Sequence, residues 1–259
     1  MKLEAIRPVA LYKVQHFFSN VHLQQNVLSE MNNKTVSLVR KWFALNTHST
    51  RDIIFHPQQE GGLGVPNVSW IYISMRVSHL LCMLNNDDRD VRELARSSLF
   101  LHLRRRKVPL ARESEPHFLG FKRKPSGKLD TRSPGFGVSS DWPDLNDLCI
   151  QAGVSLEWAR SDSETVEVSV DIITDPLTSV RATVTYSGHT HLLTPKGARR
   201  TLLDMFQHRQ QQHWTGLKLQ GKLACLPHAD HSVSHSFLRN TALNEEIITF
   251  TVNARLKIL

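Results

Sequence analysis

The chain has 259 residues, 40% of them hydrophobic and 22% charged, which is the composition of a globular protein with a sizeable core. No apolar run approaches the roughly 18 residues of a membrane span, and the charged N-terminus argues against a secretory signal, so we expect no membrane association. The formal net charge of +8 favours a polyanionic partner.

Four amphipathic helices are predicted before residue 110, because apolar residues recur there every three or four positions. Their short connections predict a helical bundle over residues 1–110. The first helix carries Ala10, Val14, Phe17 and Val21. The inward stripes of the next three are Leu28, Met31, Thr35, Leu38, Trp42 and Leu45; Trp70, Ile73, Val77, Leu80 and Leu84; and Val91, Leu94, Ala95, Leu99 and Leu103.

Between the second and third helices, the three apolar residues 53–55 are too few to show a helical period and predict a brief extended piece. The glycine-rich run 61–64 predicts a turn, and Pro66 suits the first position of the next helix. The acids Asp87 and Asp88 precede the fourth helix. They lack the aromatic residue two places earlier and the apolar strand flanks of a polymerase carboxylate pair, so we interpret them as helix-start residues.

Most of the excess positive charge lies in one stretch. Between residues 100 and 133, ten Lys or Arg stand against three acids, a net charge of +7. Periodicity is absent from about residue 108 to residue 140, and we predict a basic, flexible linker over residues 111–140. Two interpretations remain open, a solvated tether and a contact with nucleic acid.

The region 141–259 predicts a mixed α+β domain. A short helix is expected from Ser140 through Ala152 with Gly153 ending it. Alternating residues predict paired strands over 166–172 and 180–186, and residues 154–158 add a third strand unless a helix covers the pair. A helix should follow Thr194 and run to about residue 212, and the final helix carries Leu243, Ile247, Phe250, Ala254 and Ile258 on one face. The predicted fold class is therefore mainly α with a small α+β part.

The run Val-Arg-Lys-Trp at 39–42, followed by Gly-Gly-Leu-Gly-Val-Pro at 61–66, resembles the segment after the polymerase palm in reverse transcriptases of non-LTR retrotransposons of the restriction-like-endonuclease type. The runs at 214–223 and 253–259 resemble the linker that follows in the same elements. The resemblance implies a thumb that rests on duplex or hybrid RNA or DNA. It also implies that palm and endonuclease are absent, so no polymerase activity and no cofactor are expected.

The function predicted is that of a non-catalytic, sequence-tolerant nucleic-acid-binding fragment. The alternatives are a protein-interaction module and a retroelement relic without a selected function. The expected phosphate contacts are Arg40, Lys41, Arg104, Arg105, Arg106, Lys107, Lys122, Arg123 and Lys124.

Three widely separated cysteines predict reduced thiols and an intracellular protein, since an odd number does not suit a disulfide framework. One weak metal candidate exists, because Cys225, His228, His231 and His235 have spacings that could hold zinc. The chain holds 14 histidines, so chance clustering also explains them, and we expect no metal to be needed for folding.

Overall fold

The computed structural model describes residues 17–18, 21–45, 50–105, 142–160 and 177–217. These residues form six α-helices and one three-stranded antiparallel sheet, which confirms the mainly helical class with a small β part. The helices are α1 (Gln25–Trp42), α2 (Asp52–Phe55), α3 (Val68–Leu84), α4 (Arg89–Arg105), α5 (Trp142–Ala152) and α6 (Ala198–Thr215). The strands are β1 (Val154–Arg160), β2 (Leu177–Tyr186) and β3 (His189–Leu193).

Several predicted features lie outside the described residues. They are most of the first helix, the linker over 111–140, the strand over 166–172, the run from residue 218 to 223 and the final helix over 243–259. These stay predictions.

The chain divides into two compact units, one of Met1–Tyr72 with Leu203–Leu259 and one of Ile73–Leu202. This grouping does not follow the predicted boundaries near residues 110 and 140. In the second unit, the amide of Asn85, just after α3, donates to Val180 O of β2 at 3.0 Å and accepts from Val180 N at 2.8 Å. The Asn85 amide thus pairs with β2 as the peptide group of a neighbouring strand would. This contact joins the end of α3, which precedes the basic stretch in sequence, to the sheet that follows it. Independent folding of residues 1–110 stays a prediction.

In the first unit, α1 contributes Leu28, Val36 and Val39 to the core. The predicted stripe is wrong at Leu38, which is 50% exposed. The apolar residues of α1 cover nearly half of its circumference. Their period alone therefore does not decide which edge of this apolar face is buried. Packing selects the edge that holds Val36 and Val39.

Residues 53–55 belong to the single helical turn α2, so the predicted extended piece is wrong. Ile53 O and Ile54 O accept hydrogen bonds from Leu63 N at 2.7 Å and Val65 N at 2.9 Å. The segment after the glycine turn therefore supplies the partners for carbonyls that one isolated turn leaves unpaired. The side chains of all three α2 residues are buried.

The next helix begins later than Pro66, because Asn67 caps it. Asn67 Oδ1 accepts from Ser69 N at 3.0 Å and from Trp70 N at 3.3 Å, which pairs two amide groups that the helix itself cannot. The tryptophan side chain then stacks on Phe206 of α6, with ring centroids 5.8 Å apart.

In the second unit, Asp88 has the helix-start role that was predicted. Its Oδ1 accepts from Asp90 N at 2.9 Å, at the first turn of α4. The predicted inward position of Leu94 is wrong, since this side chain is 70% exposed, whereas Ala95 and Leu99 are buried as expected.

The sheet has the order β1-β2-β3. Strand β1 contains the predicted third strand, and β2 contains the predicted strand 180–186. The described partners of β2 are β1 and β3, and β3 was not predicted. Ser187 (φ 53°) and Gly188 (φ 75°) form the two-residue turn between β2 and β3, as in a type I′ hairpin.

Two further helix boundaries follow the sequence signals. Helix α5 ends at Ala152, and Gly153 follows with a φ of 70°, a left-handed conformation that favours glycine. Thr194 O accepts from Ala198 N at 2.8 Å at the start of α6, and Leu202, Met205 and Phe206 are buried.

Candidate nucleic-acid interface

The predicted phosphate contacts fall into three groups. Arg40 and Lys41 lie in the last turn of α1, in the first unit. Arg104 and Arg105 are the last two residues of α4, in the second unit. The other five lie outside the described residues, namely Arg106, Lys107, Lys122, Arg123 and Lys124. The described contacts are therefore two pairs of sequence neighbours, one at the end of α1 and one at the end of α4.

The pair at the end of α1 has a sufficient structural explanation. Lys41 is exposed and Arg40 is half-buried. The last turn of a helix carries a partial negative charge, and a cation there stabilises the helix by about 0.3–1 kcal/mol. These two residues are consistent with phosphate contacts, but they do not by themselves favour that role.

Helix α4 has acids near its start and arginines both along it and at its end. Asp87, Asp88 and Asp90 lie at its start, and Arg104 and Arg105 end it. The helix dipole stabilises both groups, and in α1 it stabilises the basic residues of the last turn. Arg104 and Arg105 thus place two cations at the end of α4 that leads into the rest of the basic stretch.

A second basic region was missed from the sequence. From residue 176 to residue 203 the chain has four Lys or Arg and no Asp or Glu. The four are Arg181, Lys196, Arg199 and Arg200. The sequence signal for this region is the long absence of acids. Its cations are too widely spaced to form a dense Lys/Arg cluster.

The cations at the start of α6 are placed against the helix dipole. Arg199 and Arg200 lie in its first turn, which contains no acid, and Lys196 lies two residues before the helix. A positive charge at a helix N-terminus is unfavourable by the magnitude that favours it at the C-terminus. Within the described part of the chain these three side chains form no ion pair. Helix stability therefore does not explain them.

No metal site is found in the described ranges, where no group of three or more His, Cys, Asp or Glu side chains could hold an ion. The zinc candidate formed by Cys225, His228, His231 and His235 lies outside those ranges. Cys82 and Cys149 are free thiols. Complete burial raises the pKa of Cys149 to about 12, so its thiolate is strongly disfavoured.

Histidine–carboxylate pairs occur among the described residues of the first unit. His213 Nδ1 is 2.8 Å from Asp52 Oδ2, and His56 Nε2 is 2.9 Å from Glu60 Oε2. The Thr50 hydroxyl lies 3.0 Å from the same Asp52 oxygen. A hydroxyl nucleophile must instead bond to the imidazole, so this is not the order of a catalytic triad.

The contacts of the first pair are structural. Besides His213, α6 supplies Gln210, whose Nε2 donates to Asp52 O at 3.2 Å. The neighbouring Trp214 packs against the ring of His56, with centroids 4.5 Å apart. These contacts fasten the end of α6 to α2.

Among the described residues, no helix combines the length and apolar character needed to cross a membrane. No protein-family model, curated protein or solved structure matches this chain.

Proposed function

We propose that the chain is a non-catalytic, sequence-tolerant nucleic-acid-binding fragment similar to the thumb and linker of a non-LTR retrotransposon reverse transcriptase. The observation that carries the proposal is the concentration of charge, because residues 100–133 hold a net +7 in a chain of net +8. The end of α4 enters this stretch with Arg104 and Arg105.

The expected ligand is duplex or hybrid RNA or DNA. A dense row of Lys and Arg binds the phosphate backbone and releases condensed counterions, a driving force that does not depend on base sequence. Contacts of this kind position a protein on a duplex without distinguishing its base sequence. The proposal therefore includes neither base-specific recognition nor a chemical step.

The test compares two triple variants with the same charge change. Reversing Arg104, Arg105 and Arg106 to Glu removes proposed contacts. Reversing Lys34, Arg89 and Arg209 to Glu changes the net charge equally at exposed positions outside the proposed set. Fluorescence anisotropy with a labelled hybrid at low salt should show at least a tenfold loss of affinity for the first variant and a much smaller loss for the second.

Equal losses in the two variants would show that total charge, and not the basic stretch, sets affinity. No binding of the wild-type chain at low salt would reject the proposed function. Circular dichroism of each variant checks that the helical content is kept.

A second candidate function is a protein-interaction module, and one observation favours it. Val27 and Leu38, which lie three helical turns apart on one edge of α1, are 38% and 50% exposed. A protein partner could cover these two side chains, and the simplest one to test is a second copy of the chain. Sedimentation at increasing concentration should show self-association that Leu38→Glu abolishes; a monomer at every concentration contradicts this candidate.

A further inference from the structure

We infer that the acid-free segment 176–203 forms a second phosphate-binding surface, which acts together with the basic stretch. The surface consists of the β2–β3 hairpin and the start of α6. The inference rests on the proposed function, because it assigns the same ligand a second place of contact. This second surface differs from the basic stretch because most of its residues lie among the described residues.

Charge is the first argument for a polyanionic occupant. Arg181, Lys196, Arg199 and Arg200 give this segment +4 with no acid within it. Ordinary protein surfaces intersperse the two signs. A run of one sign attracts the opposite charge, and nucleic acid supplies a regular row of phosphates.

The hairpin adds neutral hydrogen-bonding groups on one face. Thr183 and Thr185 of β2 alternate with the buried Ala182 and Val184, and the register places Thr190 of β3 opposite Thr185. The hydroxyl oxygens of Thr185 and Thr190 are 3.1 Å apart at the surface. Threonine hydroxyls and arginines are among the groups that contact phosphate oxygens in protein–nucleic-acid complexes.

The positions of the α6 cations allow a role in binding to be distinguished from a role in folding. Each cation in the first turn works against the helix dipole. Removing Arg199 and Arg200 should therefore leave the helix unharmed or more stable. If these cations served only the fold, their removal would lower the stability of the helix.

The test uses the full chain with Lys196, Arg199 and Arg200 all changed to Gln. Arg181 is left unchanged, because Glu157 of β1 lies opposite it in the register. The matched control changes Lys34, Arg89 and Arg209 to Gln, which removes the same number of charges. Anisotropy with a labelled hybrid is measured at several salt concentrations, and a thermal melt is recorded for each variant.

The expected result is a three- to tenfold loss of affinity, with a log–log salt dependence shallower by up to about 0.9 for each phosphate that the variant no longer neutralises. The melting temperature should be equal to or above that of the wild type, and the control should bind nearly as the wild type does. Unchanged affinity in this variant, while the Arg104–Arg106 reversal binds weakly, would overturn this inference and leave the proposed function standing. Weaker binding with a lower melting temperature would also overturn it, since the cations would then support the fold. A wild-type chain that binds no nucleic acid would remove the proposed function and this inference together.

Discussion

At the scale of single residues, the turn after α2 depends on a close approach of backbone to backbone. Gly62 lies against His56, and a Cβ at this position would overlap the His56 carbonyl oxygen. The same carbonyl accepts a hydrogen bond from Gly64 N at 2.7 Å. The oxygen cannot move away without breaking that bond, so only glycine fits at position 62.

Gly62→Ala should therefore destabilise the protein by about 1–3 kcal/mol or more, as overpacking of a closed site does. Gly216→Ala is the matched control, because a Cβ there comes no nearer than 3.3 Å to its closest neighbour, Gln212 O. Urea unfolding measures the free energy of unfolding of both variants. Similar values for the two would mean that the chain does not make this close approach.

At the scale of elements, periodicity located the long helices but not always their inward faces. Helices α1, α3, α4, α5 and α6 lie where the sequence predicted them. The inward faces of α1 and α4 were wrong at Leu38 and Leu94, because each helix has apolar residues on more than one edge. Three residues cannot show a period, so the turn α2 was not recognisable as helical. The partners of its carbonyls lie ten and eleven residues away in sequence.

The corrected face of α1 can be tested with two truncations. Val39→Ala removes two buried methyl groups and should cost about 1.5–3 kcal/mol of stability. Leu38→Ala removes a larger but half-exposed side chain and should change stability by less than about 0.5 kcal/mol. Chemical denaturation of the two variants gives the comparison. A greater loss for Leu38→Ala would restore the stripe expected from the sequence.

Strand β3 shows why part of the sheet was missed. Only its last residue, Leu193, is buried, so the five residues lack the alternation that marked β2. The available signal was the Ser187–Gly188 pair, since glycine in a two-residue turn between short runs is a hairpin indicator. The pairing of Asn85 with β2 is a non-local contact that no local pattern predicts.

The proposed function of the protein depends on how positive charge is distributed along the chain. The basic stretch 100–133 could be recognised from the sequence, because counting Lys and Arg requires no structure. The cations at the start of α6 could not be interpreted in the same way. Their significance depends on which residue begins the helix, and α6 begins at Ala198, not directly after Pro195.

The salt dependence of binding is the most direct test of contact with the phosphate backbone. For a labelled duplex, the logarithm of the association constant should fall linearly with the logarithm of salt concentration, by about 0.9 for each phosphate contact on B-DNA. Four or more contacts then give a slope of about −3.6 or steeper, with little difference between duplexes of unrelated sequence. A flat salt dependence, or a strong preference for one sequence, would contradict binding through the phosphate backbone.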